Sequence, residues 1–492
     1  MAFMKLENNQ FKTVNIPFQK ILLLEAYLKK NPVTLYLILF VFGLITAFVF
    51  IRPQIFIDNT YDHTHMSIRI FSLEEAIKAF NNEGFYYFKD HLISFYYYLA
   101  LLGKLFRIND PIKLFTYAQM AAAFFLLSAY PAIMYRLSKS LVVSFLTPVL
   151  ASIYLGTFLF RSRMDSQWAM AWVIIFAVPL LSILFSEKWT KQSWGFYGAV
   201  CVIISISNTI RIQSAFPIVI ITLVLVISKL FVITKAKDSE KKTCLFVRIV
   251  YFAKCNIPLF IAIVLLFVSQ TFFVMTLPKI LFPSLINSDL MNGYNHDKFD
   301  FKVMGPWHTI YIGIGWESNP FGIDEFNDNY GFLKSDEINT GRFRYMSDEY
   351  IDTLKTEYFR LLRENPSFFI GSYSRKLFNS IDITYNYLRS AGTIFFSNLL
   401  AFGFLLVICL KNTQKKIWSV CLPMMLCSLF CIFAGMLPAM LAIPAPLYLI
   451  GSLGACDMLI FTTVIFFILN IQNFLETKQG HKIAPDHDVP TC

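Results

Sequence analysis

Two groups of ionisable residues interrupt a chain that is otherwise strongly apolar. Asp58 and Asp62 lie in the segment IDNTYDHTH, and Arg161, Arg163 and Asp165 lie in the segment FLFRSRMDSQW. Charged side chains beside apolar, helix-length segments are costly unless they face water, one another or a charged ligand. Arginine binds phosphate with bidentate geometry, and a carboxylate can remove a proton from an attacking hydroxyl group. The two groups together predict chemistry on an anionic, lipid-linked substrate.

Further candidates for substrate binding lie close to other apolar segments. Lys89 and His91 begin the stretch KDHLISFYYYLALLGKLF, and Arg211 lies in ISNTIRIQSAFP between two apolar segments. Trp307 and His308 lie in GPWHTIYIGIGW, among glycines and aromatic residues, where they can line a substrate groove. All of these residues are candidate substrate-binding groups.

Each candidate also has a structural explanation, which the residue types alone leave open. The two aspartates can cap or solvate a loop. Arg161, Arg163 and Asp165 can pair with one another and tie helix ends together. Arg211 can extend to lipid headgroups, and the Trp-His pair can simply fold its loop.

The sequence predicts no metal site, although it leaves open a divalent cation shared by Asp58 and Asp62. His63 and His65 are two residues apart, so their side chains would point in different directions on a helix. The nine cysteines show no CxxC or Cys/His spacing of the kind found at structural zinc, and none lies in the long polar loops. No disulfide framework is therefore expected.

The composition is that of a polytopic helical membrane protein. Of 492 residues, 56% are hydrophobic and 15% are charged, whereas soluble domains carry about 25% charged residues. Long unbroken apolar segments argue against a β-barrel, whose strands are short and alternate in polarity. The net charge of +11 comes largely from Lys and Arg in short loops between apolar segments. Membrane topology explains such loops, so no nucleic-acid partner is predicted.

About ten segments are long and apolar enough to span a membrane, given that a spanning helix needs about 20 residues. They lie at roughly 33–51, 114–135, 141–160, 167–185, 194–210, 214–233, 255–277, 394–410, 417–436 and 456–474. The short loops between them are basic, and basic loops stay in the cytoplasm. The polar segments 52–112 and 278–393 are then external. The stretch 91–106 is nearly long enough to cross, but crossing would place basic loops outside, so we predict an interfacial or re-entrant helix.

These assignments divide the chain into four parts. Residues 1–277 form an N-terminal transmembrane module that contains the first external loop, and residues 278–393 form a second, larger external loop. Residues 394–476 form the C-terminal transmembrane helices, and residues 477–492 form a cytoplasmic tail. Within the larger loop, SDEYIDTLKTEYFRLLREN predicts a helix that ends at Asn365-Pro366.

The first part of this pattern resembles the GT-C superfamily of integral membrane glycosyltransferases, in particular protein O-mannosyltransferases and lipid A aminoarabinose transferases. In that family the first span leads into an external loop with an acidic residue near its start, which is matched here by Asp62-His63 through Gly84-Phe85. An interfacial helix of the type Lys-Pro-Pro-Leu-Tyr-Tyr-Trp follows. Its counterpart begins at Lys89-Asp90-His91 and lacks both prolines.

Later turns extend the resemblance to roughly 33–235. The family's next external turn pairs an arginine with an aspartate, as Arg163-Met164-Asp165 does. A subsequent turn places a basic residue after threonine, as in Thr209-Ile210-Arg211. The order and the common side of these motifs carry the resemblance.

The resemblance implies an all-α polytopic enzyme of the bacterial inner membrane whose active site faces the periplasm or exterior. It would transfer a sugar from a polyprenyl-phosphate donor to a lipid, glycan or protein acceptor, without a nucleotide sugar. Asp62 would act as the base, with Asp58 as the second candidate. Lys89, Arg163 and Arg211 would bind the lipid phosphate.

Other classes of membrane protein remain open at this stage. The resemblance implies that Asp165 orients an arginine. A transporter or flippase of lipid-linked glycans would instead use the same charged residues along its substrate path. A non-catalytic scaffold, or a polymerase or ligase of surface glycans, also fits two external loops. The lack of paired internal repeats, and the position of the charges at span ends, favour the transferase.

Overall fold

The structure is a computed structural model that describes residues 27–28, 30–50, 73–78, 93–161, 173–186, 190–210, 215–224, 261–277, 280, 306–341, 345, 347–390 and 415–483. Across these described residues the chain is 89% helical and contains no strand. The predicted all-α architecture is therefore confirmed.

The described helices fall on most of the apolar segments seen in the sequence. They are α1 (Pro32–Phe50), α2 (Ile93–Phe106), α3 (Pro111–Ser138), α4 (Leu141–Arg161), α5 (Val178–Ser186), α6 (Lys191–Ile210), α7 (Ile261–Thr271), α8 (Pro306–Ile312), α9 (Asp328–Asn339), α10 (Asp348–Glu364), α11 (Pro366–Ser390), α12 (Lys415–Leu441) and α13 (Pro446–Ile483). A π-helical segment, Val173–Ala177, precedes α5, and another, Phe272–Thr276, follows α7.

Four of these helices, α1, α3, α12 and α13, are long and apolar enough to cross a membrane. Shorter apolar segments lie in α2, in α4, at 173–184 and in α7. The chain is therefore a membrane protein by the length and composition of its described helices. The predicted span at 394–410 lies outside the described residues.

Helices α1, α3 and α4 alternate in direction. The ring of Tyr36 lies 6.3 Å from that of Tyr135, and the ring of Phe48 lies 6.3 Å from that of Phe124, so α1 and α3 are antiparallel. A two-residue connection then reverses the chain into α4, whose first residue, Leu141, packs with the start of α1. The end of α1, the start of α3 and the end of α4 therefore lie at one end of the bundle.

Helices α12 and α13 form an antiparallel hairpin. The ring of Trp418 lies 5.0 Å from that of Phe466, and the hydroxyl of Ser452 donates a 2.7 Å hydrogen bond to the carbonyl oxygen of Ile432. These two contacts match the start of α12 with the second half of α13, and the end of α12 with the start of α13. The connection between them, at 442–445, is therefore tight.

A hydrogen bond between side chains fixes the hairpin in the bundle. The Ser140 hydroxyl, between α3 and α4, donates to Gln472 Oε1 of α13 over 2.6 Å. The start of α12 therefore lies at the same end as the α3–α4 turn, which we name the Ser140 end. The α12–α13 turn lies at the opposite end, with Phe50, Pro111 and Arg161, and we name it the Ala442 end.

Helices α6 and α7 run parallel, from the Ser140 end to the Ala442 end. The guanidinium of Arg136, near the end of α3, lies 5.5 Å from the ring of Phe196, near the start of α6. The next residue of α6 is Tyr197, whose hydroxyl donates to the carbonyl oxygen of Ala262 in α7 over 2.7 Å. Ile210, the last residue of α6, therefore lies at the Ala442 end.

Helix α2 lies at the Ala442 end, against the start of α3. The rings of Phe95 and Phe115 are 6.2 Å apart, and the Tyr98 hydroxyl donates to the carbonyl oxygen of Phe273 over 2.8 Å. The helix has 14 residues and is about 21 Å long, whereas the hydrocarbon core of a bilayer is about 30 Å thick. The described part of α2 is by itself too short to cross a bilayer.

The described part of 306–390 forms a unit that we name the helical cap. Helix α10 begins where the Ser347 side chain accepts a hydrogen bond from the backbone N–H of Tyr350 over 3.2 Å. It ends at Glu364, and Pro366 begins α11, so the predicted end at Asn365-Pro366 is confirmed. The cap has its own apolar core, formed mainly by Tyr311, Ile314, Tyr350, Leu354, Tyr358 and Phe369.

The cap packs directly on the Ala442 end of the bundle. Gly313 approaches so closely that a Cβ atom there would lie 2.7 Å from the carbonyl oxygen of Ala442. Farther along the cap, Leu377 and Ile383 of α11 pack against the α12–α13 hairpin, on a cluster formed by Met436, Ala439, Leu449 and Leu453. The position of the cap is therefore fixed by contacts at both ends of this interface.

Candidate functional site at the Ala442 end

The Ala442 end of the bundle adjoins the segments that carry most of the residues predicted from the sequence. Arg161 is the last residue of α4 and lies at this end. Its side chain lies outside the described part of the structure, as do Asp58, Asp62, Lys89, His91, Arg163, Asp165 and Arg211.

The helix ends that flank those residues converge. Helix α1 ends at Phe50, before the loop that carries the two aspartates, and α2 begins at Ile93, just after Lys89 and His91. Helix α6 ends at Ile210, immediately before Arg211. The structure thus brings together the ends of the helices next to the candidates, and it does not describe contacts among the candidate side chains themselves.

A cluster of uncharged polar side chains lies between α6 and α7 near the same end. The Asn208 amide nitrogen donates to Gln270 Oε1 over 2.5 Å, and the Gln270 amide nitrogen donates to the Ser205 hydroxyl over 2.9 Å. Asn208 Oδ1 also accepts from the backbone N–H of Ala215 over 3.3 Å. We name Ser205, Asn208 and Gln270 the amide cluster. Hydrogen bonds of this kind hold membrane helices together.

Sequence reasoning missed the amide cluster. Asn208 and Gln270 are single uncharged polar residues in apolar segments that are 62 positions apart. The available signal was the pair of polar triplets Ser207-Asn208-Thr209 and Ser269-Gln270-Thr271, each near the end of a predicted span. Only the parallel pairing of α6 with α7 shows that the two carboxamides meet.

The helical geometry changes from α to π directly after the amide cluster, at the end of α7. The π-helical segment Phe272–Thr276 starts two residues after Gln270. A π-helical turn widens the helix, and such turns occur often at functional sites. Tyr98 of α2 donates its hydroxyl hydrogen to the carbonyl oxygen of Phe273 in this segment. Helix α2 therefore helps to fix the backbone next to the amide cluster.

His308 is completely buried in the cap, and both of its ring nitrogens are engaged. Nδ1 lies 2.6 Å from the Tyr350 hydroxyl, and Nε2 lies 3.1 Å from Asp328 Oδ1. Burial raises the pKa of Tyr350, so its hydroxyl stays protonated. A carboxylate only accepts hydrogen bonds, so in a neutral ring Nε2 would donate to Asp328 and Nδ1 would accept from the Tyr350 hydroxyl. These contacts make His308 a link between α8, α9 and α10.

Trp307 precedes His308 in α8 and is half-buried. Its ring lies 5.2 Å from that of Phe359 and 5.9 Å from that of Tyr358, and Lys355 Nζ lies 5.9 Å from the ring centroid. The two tilted ring contacts and the cation near the ring favour one orientation of the indole. Trp307 therefore joins α8 to α10 and keeps part of its surface accessible.

Lys376 is a buried cation between the cap and the membrane helices that sequence reasoning did not identify. Its side chain is 2% exposed. Nζ donates to the carbonyl oxygen of Gly313 over 2.8 Å and lies 6.0 Å from the centre of the Trp316 ring. Burial lowers the pKa of Lys376 to about 8, and the nearby charge of Glu317 only partly opposes this. The site is electrostatically strained as long as the amine is protonated.

The neighbouring Glu317–Arg375 ion pair differs from Lys376, because its contacts favour the charged form of the carboxylate more than burial opposes it. Arg375 Nε donates to Glu317 Oε2 over 2.6 Å. Burial alone would raise the pKa of Glu317, but the hydrogen bond from Arg375 and the charge of Lys376 lower it. Glu317 therefore stays ionised at neutral pH. The carboxylate connects the 3₁₀ turn Gly313–Trp316 to α11 beside the Ala442 end.

The described residues contain no group of three or more His, Cys, Asp or Glu side chains that could hold a metal ion. Asp58 and Asp62 lie outside that part of the chain. The polar groups described at the Ala442 end are the carboxamides and hydroxyl groups of the amide cluster, the Lys376 amine and the Glu317–Arg375 ion pair.

Comparisons with known proteins give no match. No protein-family model matches this chain, and no curated protein or solved structure does so either.

Proposed function

We propose that this protein is a membrane glycosyltransferase that transfers a sugar from a polyprenyl-phosphate donor to a lipid, glycan or protein acceptor. One observation carries the proposal. The end of α1, the start of α3, the end of α4 and the end of α6 lie at the same end of the bundle, beneath the cap. The aspartates and arginines singled out in the sequence are attached to these helix ends.

The distribution of charge supports an external location for the Ala442 end. Arg136, Lys139, Lys191 and Lys415 lie beside the short connections at the Ser140 end, and short basic loops are retained in the cytoplasm. The Ser140 end is then cytoplasmic, and the cap and the Ala442 end face the periplasm or exterior of a bacterial inner membrane. About ten spans in a GT-C-like arrangement fit this orientation, with α2 at the interface.

The proposed reaction transfers one proton, forms one glycosidic bond and breaks one carbon–oxygen bond to phosphate at the external face. Asp62, or Asp58 in the second place, takes the proton of the acceptor hydroxyl as its oxygen attacks the anomeric carbon. The bond between that carbon and the carrier phosphate oxygen breaks, and its electron pair leaves with the phosphate. Lys89, Arg163 and Arg211 stabilise the charge that develops there.

The remaining candidates have supporting roles in this proposal. Arg161 and His91 add further contacts to the phosphate, and Asp165 orients an arginine. Trp307 and His308 shape the inner side of the cap, one through its partly accessible ring and the other through its buried links. A lipid-linked donor would not require a nucleotide-binding domain.

Sugar transfer by the purified protein in lipid vesicles tests the proposal. Polyprenyl-phosphate mannose and polyprenyl-phosphate glucose are supplied with a membrane extract as acceptor, and the glycosylated product is identified by mass spectrometry. Asp62→Asn should abolish transfer, and Asp324→Asn, which changes an exposed carboxylate of the cap, should not. Transfer that persists in Asp62→Asn excludes this residue as the base.

Two other outcomes would contradict the proposal itself. A transporter or flippase would move the donor across the bilayer of sealed vesicles and leave its covalent structure unchanged. A surface-glycan polymerase or ligase would join preassembled, carrier-linked oligosaccharides and would not use the single-sugar donors.

A further inference from the structure

The amide cluster has hydrogen-bonding capacity that its internal contacts do not use. A carboxamide offers two N–H donors and two lone pairs on its oxygen. Asn208 uses one N–H towards Gln270 and one lone pair for Ala215, and Gln270 uses one N–H towards Ser205 and one lone pair for Asn208. Among the described residues, one N–H and one lone pair of each carboxamide have no partner.

The two carboxamide side chains are incompletely buried, and Asn208 lies near the end of α6 that precedes Arg211. Asn208 and Gln270 are half-buried. Asn208 lies two residues before the end of α6, which is about 3 Å along the helix axis, and Arg211 follows that end in the sequence. Unsatisfied polar groups at membrane depth are costly, so a ligand that completes their hydrogen bonds is favoured.

A second pair with the same chemistry shows what a purely structural contact looks like in this bundle. Ser140 and Gln472 also form a hydroxyl–carboxamide hydrogen bond between membrane helices, and their residues are only 4% and 8% exposed. That pair is closed to any ligand and lies at the Ser140 end. The amide cluster makes the same type of contact near the Ala442 end, but its two carboxamides are half-buried and not fully enclosed.

We propose that the amide cluster binds the hydroxyl groups of the carrier-linked sugar, an inference that rests on the function proposed above. A sugar hydroxyl both donates and accepts, and each carboxamide offers one donor and one acceptor. A phosphate offers only acceptors at full ionisation, so it would face the carboxamide lone pairs without a hydrogen to share. A polyprenyl chain would leave all four groups unpaired.

Contacts from neighbouring helices hold the residues around the amide cluster in place. Gln270 is held by Ser205 and Asn208 from α6, and the π-helical segment that follows it is held by Tyr98 from α2. The carboxamides are therefore oriented before a ligand arrives. Preorganised polar groups discriminate strongly between ligands that complete their hydrogen bonds and ligands that do not.

The test compares binding of a carrier with and without its sugar. The purified protein in lipid nanodiscs is titrated with polyprenyl-phosphate mannose, polyprenyl-phosphate glucose and bare polyprenyl phosphate, and the ratio of Kd values gives the sugar preference. Wild type should bind at least one sugar-bearing carrier more tightly than the bare carrier. Gln270→Met and Asn208→Leu should each reduce that preference by roughly threefold to tenfold, the equivalent of one hydrogen bond.

Gln472→Met is the matched control, because it removes the carboxamide of the closed pair and should leave the preference unchanged. If Gln270→Met lowers the melting temperature more than the control does, Gln270→Asn replaces it. This variant keeps the carboxamide but withdraws it by one methylene group, and it should also lose the preference.

The outcomes separate this inference from the proposed function. A wild-type preference that survives in the Gln270 and Asn208 variants overturns the sugar site and leaves the glycosyltransferase intact. Equal binding of bare and sugar-bearing carriers by wild type also overturns it. Binding of no carrier contradicts the proposed function, and the sugar site with it.

Discussion

Gly313 of the cap lies directly against the backbone of Ala442, at the turn between the last two membrane helices. A Cβ atom at Gly313 would lie 2.7 Å from the carbonyl oxygen of Ala442 and 3.0 Å from its Cα atom. Backbone atoms on both sides leave no flexible side chain that could move aside. The contact therefore sets the distance between the cap and the bundle.

Gly313→Ala should weaken the docking of the cap. Overpacking a close contact costs about 1–3 kcal/mol, so the melting temperature of the purified protein should fall and proteolysis within 306–390 should become faster. Gly198→Ala in α6 is the control, because its Cβ would meet open space. An unchanged protease pattern in Gly313→Ala would show that the contact does not hold the cap.

Lys376 should give the protein a pH-dependent stability. Burial lowers its pKa from 10.5 to about 8, so between these pH values the unfolded chain binds more protons than the folded one. The free energy of unfolding therefore rises as pH increases through this window, by up to about 3 kcal/mol. At pH below about 8 the amine is protonated in both states, and the cost of burying its charge is fully present.

Melting temperatures at pH 7.5 and pH 9.5 measure this effect. Wild type should gain stability over this interval relative to Lys376→Met, which lacks the titrating group. Lys355→Met serves as the control, because Lys355 is an exposed cap lysine. Parallel pH profiles for wild type and Lys376→Met would show that Lys376 does not titrate in this range.

Tyr350→Phe separates a structural role of His308 from contact with substrate. The variant removes the hydroxyl that lies 2.6 Å from His308 Nδ1 and leaves a buried nitrogen unpaired, at a cost of about 1–3 kcal/mol. If His308 acts only through the fold of the cap, the melting temperature falls and kcat per folded molecule is unchanged. Tyr330→Phe, at a half-buried ring of the same cap, should change neither.

A fall in kcat for Tyr350→Phe, measured where the variant is fully folded, would indicate that the hydrogen bonds of His308 affect the catalytic step and not only the stability of the cap. The thermal unfolding of each variant, measured beside its steady-state kinetics, distinguishes the two results.

Cysteine labelling tests the orientation of the two bundle ends. A membrane-impermeant maleimide should label Asp324→Cys in intact cells, because the exposed Asp324 belongs to the cap. Lys191→Cys, at the exposed start of α6, should react only after the membrane is permeabilised. The parent protein gives the background, and its described cysteines at 201, 421, 427, 431 and 456 are buried. The reverse pattern would place the cap in the cytoplasm and end the proposed topology.

The positions of the membrane helices could be predicted because the length of a continuous apolar segment is enough to indicate such a helix. The sequence predicted spans at 33–51 and 141–160, and α1 and α4 lie within one or two residues of these limits. The last helix starts ten residues earlier than predicted, because Pro446 is well suited to the first turn of a helix and the chain continues without a break.

Helix α11 was not predicted, and its composition explains why. Its buried face includes Ser372, Lys376, Ser380 and Thr384, which give no apolar period in the sequence. The hydrogen-bond partner of buried Lys376 is the Gly313 carbonyl oxygen, 63 residues away. The amide cluster was missed for the same reason, since its members lie on different helices. The proposed catalytic residues are known only from their order in the chain.

Helix α11 belongs to two parts of the molecule at once. Phe369 near its start is buried in the core of the cap, while Leu377 and Ile383 farther along pack on the α12–α13 hairpin. No joint separates these contacts, because the described helix runs unbroken from Pro366 to Ser390. A tilt of the helical cap would therefore also move the last two membrane helices. Entry of a substrate between the cap and the bundle would then be coupled to a rearrangement of those helices.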